Sequence, residues 1–448
     1  MDHATLDSLD LTVFCGLDEL GLEAVGQWVE AGRALIACRI VDDDDWCHRC
    51  GCQGRPRDTV TRRLAHEPLG WRPTALVVTV RRYRCQGCGH VWRQDMSAAA
   101  RPRARLSRRA LRWGLEGLVV ARLSMSRIAQ ALGVSWATAN AAVLAEGRRA
   151  LIDDPSRFEG VSAIGVDDSP ARFALKREAP PTVWRHTRRG DKYVTVIIDL
   201  TPVKEGTGAA RLLDMIEGRS KSALKAWLAE RPEQWRQGIE VAAMDGFTGY
   251  KTAASEELPT AAVVMGPFHV VHLAADALDR CRQRVQQATT GHRGRAGDPL
   301  FSARRTLRTG NDLLTVKQRE RLEALFARDE HVEVEVTWAV YHKTISAYRH
   351  PDRRTGRRIM AGLIEAIGKG VPGPVAEVAA LGRTLTRRTD DILAYFDRPG
   401  TTGGPTEATG GRPEHLRGIA LGFRNLTHYT TRSLLEAGKF RPRQHPQM

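Results

Sequence analysis

Residues 241–250 read VAAMDGFTGY, an apolar run that ends in a carboxylate at Asp245 and is followed at once by a glycine. Such a run predicts a short buried strand that carries the acid at its C-terminal end. A second run of this kind, AIGVD, ends at Asp167. Two such strands can bring two carboxylates to one edge of a sheet, where paired carboxylates commonly hold divalent metal for phosphoryl transfer. The alternative is that the two aspartates only start turns or cap helices.

The composition points to a polyanionic partner. The 448 residues carry a formal net charge of +16, which favours nucleic acid first and an anionic membrane surface second. No apolar run is long enough to span a bilayer, and the start of the chain, MDHATLD, is acidic and unlike a signal peptide. We therefore expect a cytoplasmic protein that does not enter a membrane. The eight cysteines are few for this length and mostly clustered, which favours metal over disulfides.

Two CxxC pairs, Cys47 with Cys50 and Cys85 with Cys88, predict a zinc ribbon. Each pair lets two thiolates reach one ion from a tight turn, and four thiolates complete a closed tetrahedral site that leaves no open position for catalysis. Residues 76–84, LVVTVRRYR, predict a strand that leads into the second pair. The alternative is a set of buried free cysteines. The side chains that could substitute as ligands are Cys52, His48 and His90.

A strongly basic stretch precedes a predicted helix-turn-helix. The run RPRARLSRRALR, from position 101, holds six arginines and no acid. After it, the sequence predicts a helix over 126–132, a tight turn at Gly133, an N-cap at Ser135 and a second helix. The alternatives are a solvated linker and an ordinary helical hairpin, and for Trp136 we favour core packing over base contact. The candidate DNA contacts are Arg101, Arg103, Arg105, Arg108, Arg109, Ser135, Thr138 and Asn140.

The rest of the chain predicts an α/β domain followed by a basic helical region. Predicted strands cover 163–167, 192–200, 241–245 and 261–265, with helices over 221–229 and from 270 to about 287. Residues 295–395 are mostly helical and rich in arginine, and 332–341 form either a short strand or a buried helix. Near the end, the turn GGPTEA places Glu407 at a possible helix start.

Taken in order, the motifs resemble those of the DDE-type transposases of the ISL3 group of bacterial insertion sequences. The motifs are the two CxxC pairs, the helix-turn-helix, GVD, MDGFT, FHVV, GPTEA and GFRN, and they cover the chain from about 35 to 440. The resemblance implies a ribonuclease-H-like mixed-sheet core with a helical insertion, preceded by a zinc ribbon and a helix-turn-helix domain. The expected domains are 1–98 with the zinc ribbon, 99–155 with the helix-turn-helix, 156–285 and 396–448 as the two parts of the core, and 286–395 as the insertion.

The resemblance also implies an activity and its residues. Asp167, Asp245 and Glu407 would form the catalytic triad, with His269 as an accessory residue near it. The triad would bind two magnesium ions, one activating a water or a DNA 3′-hydroxyl and the other stabilising the leaving oxygen. The protein would bind the double-stranded ends of the element and the target DNA, cleave and join strands, and work on DNA as a homodimer or larger assembly.

Three departures from the family pattern bear on activity. Relatives carry Asp where this chain has Gly266, and Gly410 and Pro413 weaken the helix that would hold Glu407. Residues 169–181 form an extra loop directly after the first Asp, where it could crowd the metals. The alternatives are therefore an impaired relative that only binds DNA ends and a structure-selective nuclease that does not join DNA. Asp168 and Asp199 are back-up carboxylates, and Asp199 is the more plausible replacement ligand.

Overall fold

The computed structural model describes residues 11–171, 192–370, 374–401, 404–419 and 425–440. The chain divides into two compact units, Met1–Pro155 with Gly438–Met448, and Ser156–Ala437. Among the described residues, no single helix is long and apolar enough to cross a membrane. One pair bent by 108°, Met125–Leu132 with Trp136–Ile152, meets that requirement on length and composition alone.

The first unit is organised on a five-stranded sheet with the path β1-β2-β4-β3 and with β5 paired to β4. Strands β2 and β4 are parallel, whereas every other pair in this sheet is antiparallel. Alternate residues such as Leu64, Leu76 and Val78 pack into one apolar core on this sheet. The strands are β1 Leu22–Glu30, β2 Arg33–Ile40, β3 Gly54–Leu69, β4 Arg72–Cys85 and β5 Val91–Arg93.

The helices of the first unit begin at serine caps. The side chains of Ser107, Ser124 and Ser135 accept backbone N–H groups from the first turns of α2, α3 and α4. Helix α3 ends at Gly133, whose φ of 62° is left-handed. The predicted helix over 126–132 and the N-cap at Ser135 are therefore confirmed. The helices are α1 Leu11–Phe14, α2 Arg108–Val119, α3 Met125–Leu132 and α4 Trp136–Gly147.

The second unit contains a mixed sheet of five strands in the order β10-β9-β6-β7-β8. Strands β6, β9 and β10 are parallel, and β7 and β8 continue the sheet as antiparallel strands. This mixed α/β arrangement fits the ribonuclease-H-like core that the resemblance implies. The strands are β6 Ala163–Ala171, β7 Lys192–Asp199, β8 Arg211–Glu217, β9 Val241–Met244 and β10 Ala262–Met265.

Helices cover both faces of this sheet. On one face Val166, Ile197 and Met244 pack with residues of α6 and α8. Side chains such as Val196 and Ile198 are also buried but alternate with that set, so they face the other side, where α16 and α17 contact β6, β7 and β8. The helices are α5 Thr201–Lys204, α6 Lys221–Ala229, α7 Glu233–Gln237, α8 Thr248–Glu257, α16 Gly404–Ile419 and α17 Leu426–Ala437.

A helical region with its own apolar core lies between β10 and α16. It begins with the long helix α9, and α12 and α14 pack against that helix. Residues 332–341 belong to α12. Of the two alternatives that the sequence left open, a short strand or a buried helix, the structure therefore shows the helix. The helices are α9 Pro267–Thr290, α10 Pro299–Arg308, α11 Val316–Phe326, α12 Val332–Arg349, α13 Arg353–Gly368, α14 Ala376–Arg387 and α15 Thr389–Asp397.

Candidate functional site

Asp167 and Asp245 lie at matching positions of two neighbouring parallel strands. Val166 on β6 pairs with Met244 on β9; Asp167 is the next residue of β6, and Asp245 directly follows the last residue of β9. Val166 points into the core that contains α6 and α8, so Asp167 is directed toward the other face, on which α16 packs. The two strands thus bring both carboxylates to one edge of the sheet, as their sequences predict.

Asp168 joins these two residues in a cluster of three acids. Asp167, Asp168 and Asp245 each offer a carboxylate oxygen within 4.8 Å of the others. Burial raises the pKa of Asp167 to about 6, and the neighbouring charges of Asp245 and Asp168 act in the same direction. Burial also raises the pKa of Asp168. Oxygen donors crowded in this way favour a hard divalent cation, because a cation removes the repulsion between them.

Arg219 is the cation that faces this cluster. It lies between β8 and α6, forms an ion pair with Asp168 and places a guanidinium nitrogen 3.9 Å from an oxygen of Asp245. Its guanidinium carbon also lies 5.4 Å from the ring centre of Tyr193 and 5.5 Å from that of Phe247. Sequence reasoning missed Arg219 because it missed strand β8, which alone brings this residue to the acidic edge.

The loop after Asp245 is fixed by hydrogen bonds from both directions. The backbone N–H of Phe247 donates to the Asp245 carboxylate at 2.8 Å, and Arg388 donates to the Gly246 carbonyl at 2.6 Å. Arg388 also pairs with Asp391 at 3.0 Å and is buried. Arg388 belongs to the arginine-rich region 295–395, and its contacts make it a support for the loop that carries Asp245.

The structure places Glu407 in the first turn of α16, the helix that packs against β6. The helix continues from Gly404 to Ile419 through Gly410 and Pro413, so the expected weakening does not interrupt it. His269 is half-buried in the first turn of α9, three residues after the N-cap residue Gly266. It is not part of the acidic cluster found among the described residues. Of the extra loop predicted over 169–181, residues 169–171 continue β6, and 172–181 lie outside the described residues.

Asp199 has a structural role that does not suit a replacement ligand. Its carboxylate accepts from Arg211 at 2.8 Å and from the backbone N–H of Thr201 at 2.9 Å. It also lies at the far end of β7, opposite Ile164 at the start of β6, whereas Asp167 pairs with Val196. The expectation that Asp199 is the more plausible back-up is therefore wrong, because the antiparallel pairing sends it away from the cluster. Asp168 takes that place.

The four cysteines of the CxxC pairs form a second cluster, in the first unit. Their sulfur atoms are mutually within 4.8 Å, with separations of 3.7 Å for Cys47–Cys88, 3.3 Å for Cys50–Cys85 and 3.4 Å for Cys50–Cys88. A tetrahedral zinc–thiolate site has sulfur atoms about 3.8 Å apart, so this donor set is compatible with structural zinc. The backbone N–H of Cys88 lowers the pKa of Cys85 to about 6, which favours the thiolate.

The proposed substitute ligands are not needed for this cluster. Cys52 is exposed beside it, His48 binds Asp44 at 2.7 Å, and the ring of His90 stacks on Trp92 with centres 6.1 Å apart. Among the described residues, none of these three belongs to the four-sulfur group.

The candidate DNA contacts on the two helices differ in exposure. Ser135 is exposed, and its hydroxyl lies 2.9 Å from that of Thr138. Trp136 is 53% exposed, so the core-packing interpretation is wrong. Asn140 is only 5% exposed, and its burial between the helices does not fit base contact. The exposed surface at the start of α4 therefore consists of Ser135, Trp136 and Ala137, and Thr138 beside them is partly buried.

The basic stretch before α2 is partly engaged within the first unit. Arg109 pairs with Glu19 at 2.9 Å and with Glu67 at 2.7 Å, and Arg101 pairs with Glu146 at 2.9 Å. The Arg109 contacts make that residue a structural link rather than a free cation. The exposed arginines of the stretch are Arg103, Arg105, Arg108 and Arg112.

The chain is a member of a family of transposases. The family match spans residues 185–433, more than half of the chain, and the protein belongs to the ISL3 family of DDE transposases. The chain is also similar to the transposase for insertion sequence element IS1001 of Bordetella parapertussis. The two are 25% identical over 336 residues, which cover 74% of each chain. The family resemblance seen in the sequence is thereby confirmed, and both findings support a role in DNA transposition.

Proposed function

We propose that this transposase binds the ends of an insertion sequence and cleaves and joins DNA strands at a magnesium site formed by Asp167, Asp245 and Glu407. The observation that carries the proposal is the parallel register of β6 and β9, which sets Asp167 beside Asp245. The position of Glu407 in a helix packed on β6 supports its inclusion. The proposed partner is double-stranded DNA, both the ends of the element and the target. A homodimer or larger assembly on DNA suits the binding of two element ends at once.

The acidic cluster fits magnesium by its chemistry. All of its donors are carboxylate oxygens, and the pKa of Asp167 is raised first by burial and further by the neighbouring charges of Asp245 and Asp168. Bound magnesium would supply Lewis-acid activation of the attacking oxygen and stabilisation of the leaving oxygen. Asp167 and Asp245 would hold the metal, while the Phe247 N–H fixes the orientation of the Asp245 carboxylate.

Arg219 would act beside the metal rather than as a ligand. Its guanidinium neutralises Asp168 and Asp245 in the metal-free protein, and its flexible side chain can turn toward a DNA phosphate once the carboxylates are occupied. His269 remains a proposed accessory residue near the site. In this arrangement, Arg219 would contact the phosphate at which the reaction takes place.

DNA binding would rest on the helix pair α3 and α4. Ser135 and Thr138, with exposed arginines such as Arg103 and Arg105, form the proposed contact surface. Phosphate contacts of this kind release counterions, so binding should weaken steeply as salt increases. Structural zinc at the four cysteines would hold the adjoining sheet together.

The decisive experiment is cleavage of a labelled duplex carrying the ends of the element that encodes the chain. Wild type should nick it only with magnesium, and Asp245→Ala should lower the rate by at least about a hundredfold. The matched control is Asp397→Ala, an exposed acid of α15 paired with Arg357, which should cleave normally. Absence of wild-type cleavage with intact, salt-sensitive binding would instead indicate the impaired relative that only binds DNA ends. Cleavage without joining would indicate the nuclease.

A further inference from the structure

The hairpin between β3 and β4 ends in a tip, residues 69–72, that displays a tryptophan. Leu69 pairs with Arg72 across a two-residue turn, and Gly70 has a left-handed φ of 63°. Trp71 is 87% exposed, more than any other large apolar side chain among the described residues. A tryptophan held in solvent is unfavourable in the isolated protein, and tryptophan is enriched where partners bind.

The tip is ordered by its own hydrogen bonds. The backbone N–H of Leu69 donates to the hydroxyl of Thr74 at 3.2 Å, and that hydroxyl donates to the Arg72 carbonyl at 3.2 Å. Thr74 itself is buried. The turn therefore presents Trp71 and Arg72 in a fixed direction, so binding a partner would not carry the entropic cost of ordering a flexible loop.

The tip adjoins the turn between α3 and α4. The Arg33 guanidinium donates to the Gly133 carbonyl at 2.7 Å, and Pro73, next to Arg72, would lie 3.0 Å from a Cβ at Gly133. Helix α3 also packs on both β3 and β4. Gly133 leads directly into the exposed start of α4 at Ser135, so the tip and that helix start lie side by side.

A second attachment fixes the hairpin to α2. Ala65 forms a parallel bridge with Leu106, and the His66 Nδ1 lies 2.9 Å from the Ser107 hydroxyl that caps α2. His66 and Ser107 are both fully buried. Because the hairpin is attached both at the start of α2 and at the turn before α4, we expect its tip to keep a constant position relative to the start of α4.

The charge at this surface selects the kind of partner. Arg33 is half-buried and Arg72 is exposed, and Arg127 of α3 is exposed on the adjoining helix. Glu30 is the backbone pairing partner of Arg33 across β1 and β2. A basic surface with an exposed aromatic ring, continuous with a helix pair proposed to bind DNA, fits the backbone and groove of a duplex.

We infer that the hairpin tip is a second DNA-contacting element, which sets Trp71 and Arg72 on the duplex beside the base pairs covered by α3 and α4. The inference rests on the proposed function and extends it. The protein then covers a longer site than a helix pair alone, with the added contact on one side of the α4 position. Arg72 contacts phosphate, and Trp71 packs against the sugars or base edges of the neighbouring groove.

The test is hydroxyl-radical footprinting of the full chain on the duplex end of the element that encodes it. The tip variant is Trp71→Ala with Arg72→Ala, and the helix variant is Thr138→Ala with Ser135→Ala. The matched control is Trp46→Ala, which removes a 62% exposed tryptophan at the opposite end of the sheet. Strand β3 has 16 residues, so this end lies about 50 Å from the tip.

The tip variant should lose protection on one flank only, bind about tenfold more weakly and show a smaller salt dependence, while Trp46→Ala behaves as wild type. An unchanged footprint and affinity for the tip variant, with binding lost in the helix variant, would overturn the inference and leave the proposed function standing. If wild type protects no DNA, both fail. A tip variant that alters only the sedimentation of the DNA-free protein would assign Trp71 to contact between two copies of the chain and would also overturn the inference.

Discussion

Arg219 forms an ion pair with Asp168 at the edge of a cluster in which three carboxylates share one small volume. The same guanidinium approaches Asp245 at 3.9 Å. The positive charge of Arg219 reduces the repulsion between the acids. A bound divalent ion would reduce the same repulsion. Metal and arginine therefore compete for the same negative charge.

Replacement of Arg219 by glutamine should tighten metal binding. Removing a charge worth about 1 kcal/mol after solvent screening should lower the dissociation constant for Mn²⁺, used as the probe, by roughly fivefold. Titration calorimetry on the DNA-free protein measures this directly. Arg236→Gln, which removes a similar ion pair with Glu257 at 2.7 Å away from the cluster, should leave the constant unchanged. Weaker Mn²⁺ binding in Arg219→Gln would contradict the competition.

Zinc content should depend on Cys85 and not on Cys52. Wild type is expected to carry one equivalent of zinc. Cys85→Ser removes one of the four clustered sulfurs, so the purified variant should carry none, and its first unit should be destabilised by roughly 3 kcal/mol or more. Cys52→Ser is the matched control, since this exposed thiol lies beside the cluster but outside it. Elemental mass spectrometry of the purified proteins measures the zinc content of each variant. Zinc retained in Cys85→Ser or lost in Cys52→Ser would show that the ligand set is different.

A side chain at Gly133 should destabilise the first unit for two reasons. The residue has a left-handed φ of 62°, and an added Cβ would lie 2.5 Å from Arg33 and 3.0 Å from Pro73. We expect Gly133→Ala to cost about 2 to 3 kcal/mol of unfolding free energy. Gly32→Ala shares the left-handed backbone, with φ 78°, but has no atom within 4 Å of the new carbon, and should cost only about 1 kcal/mol. Denaturant unfolding measures the free energy of unfolding of both variants. Equal losses would show that contact with Arg33 and Pro73 adds nothing to the cost at Gly133.

Acid should weaken the attachment of the hairpin to α2 through His66. Burial lowers the pKa of this histidine below its ordinary 6.5, so the unfolded chain takes up the proton more readily than the folded one. The stability that depends on neutral His66 is therefore complete above about pH 6.5 and is lost as the pH falls through the lowered pKa, by up to about 1.4 kcal/mol per pH unit.

Hydrogen exchange of α2 at pH 7.5 and 5.0, corrected for the intrinsic pH dependence, should show this loss in wild type. The loss should be smaller in His66→Asn, whose amide does not titrate. His272→Asn changes an exposed histidine of the second unit and should reproduce the wild-type result. An equal acid effect in wild type and His66→Asn would assign it to other groups.

Local patterns predicted much of the fold because their signals lie within a few residues. Helix α6 runs from Lys221 to Ala229 as predicted, with Ser220 as its cap, and the strands that bring Asp167 and Asp245 together were evident from their apolar runs, although β6 continues past Asp167 to Ala171. The acidic pair follows from the tendency of parallel strands to end at one edge. These features need no knowledge of distant contacts.

The errors came from features that depend on packing. The sequence of α4, WATANAAVLAEG, is so rich in alanine that it has no clear apolar side, and the orientations of Trp136 and Asn140 were therefore assigned wrongly. The role of Arg219 depends on the strand order, since only the antiparallel placement of β8 brings its C-terminal end to the acidic edge. Asp199 was misjudged for the same reason.

The helices that cover the second face of the catalytic sheet come from the last part of the chain. Strands β6 to β10 end at Met265, whereas α16 starts at Gly404, so the ribosome makes the whole helical region before that face can be closed. At ordinary rates of synthesis this takes roughly ten seconds or more, during which the growing chain has an incomplete core. If the protein cleaves DNA as proposed, a nascent chain would remain unable to cut the DNA around its own gene until α16 and α17 have been made.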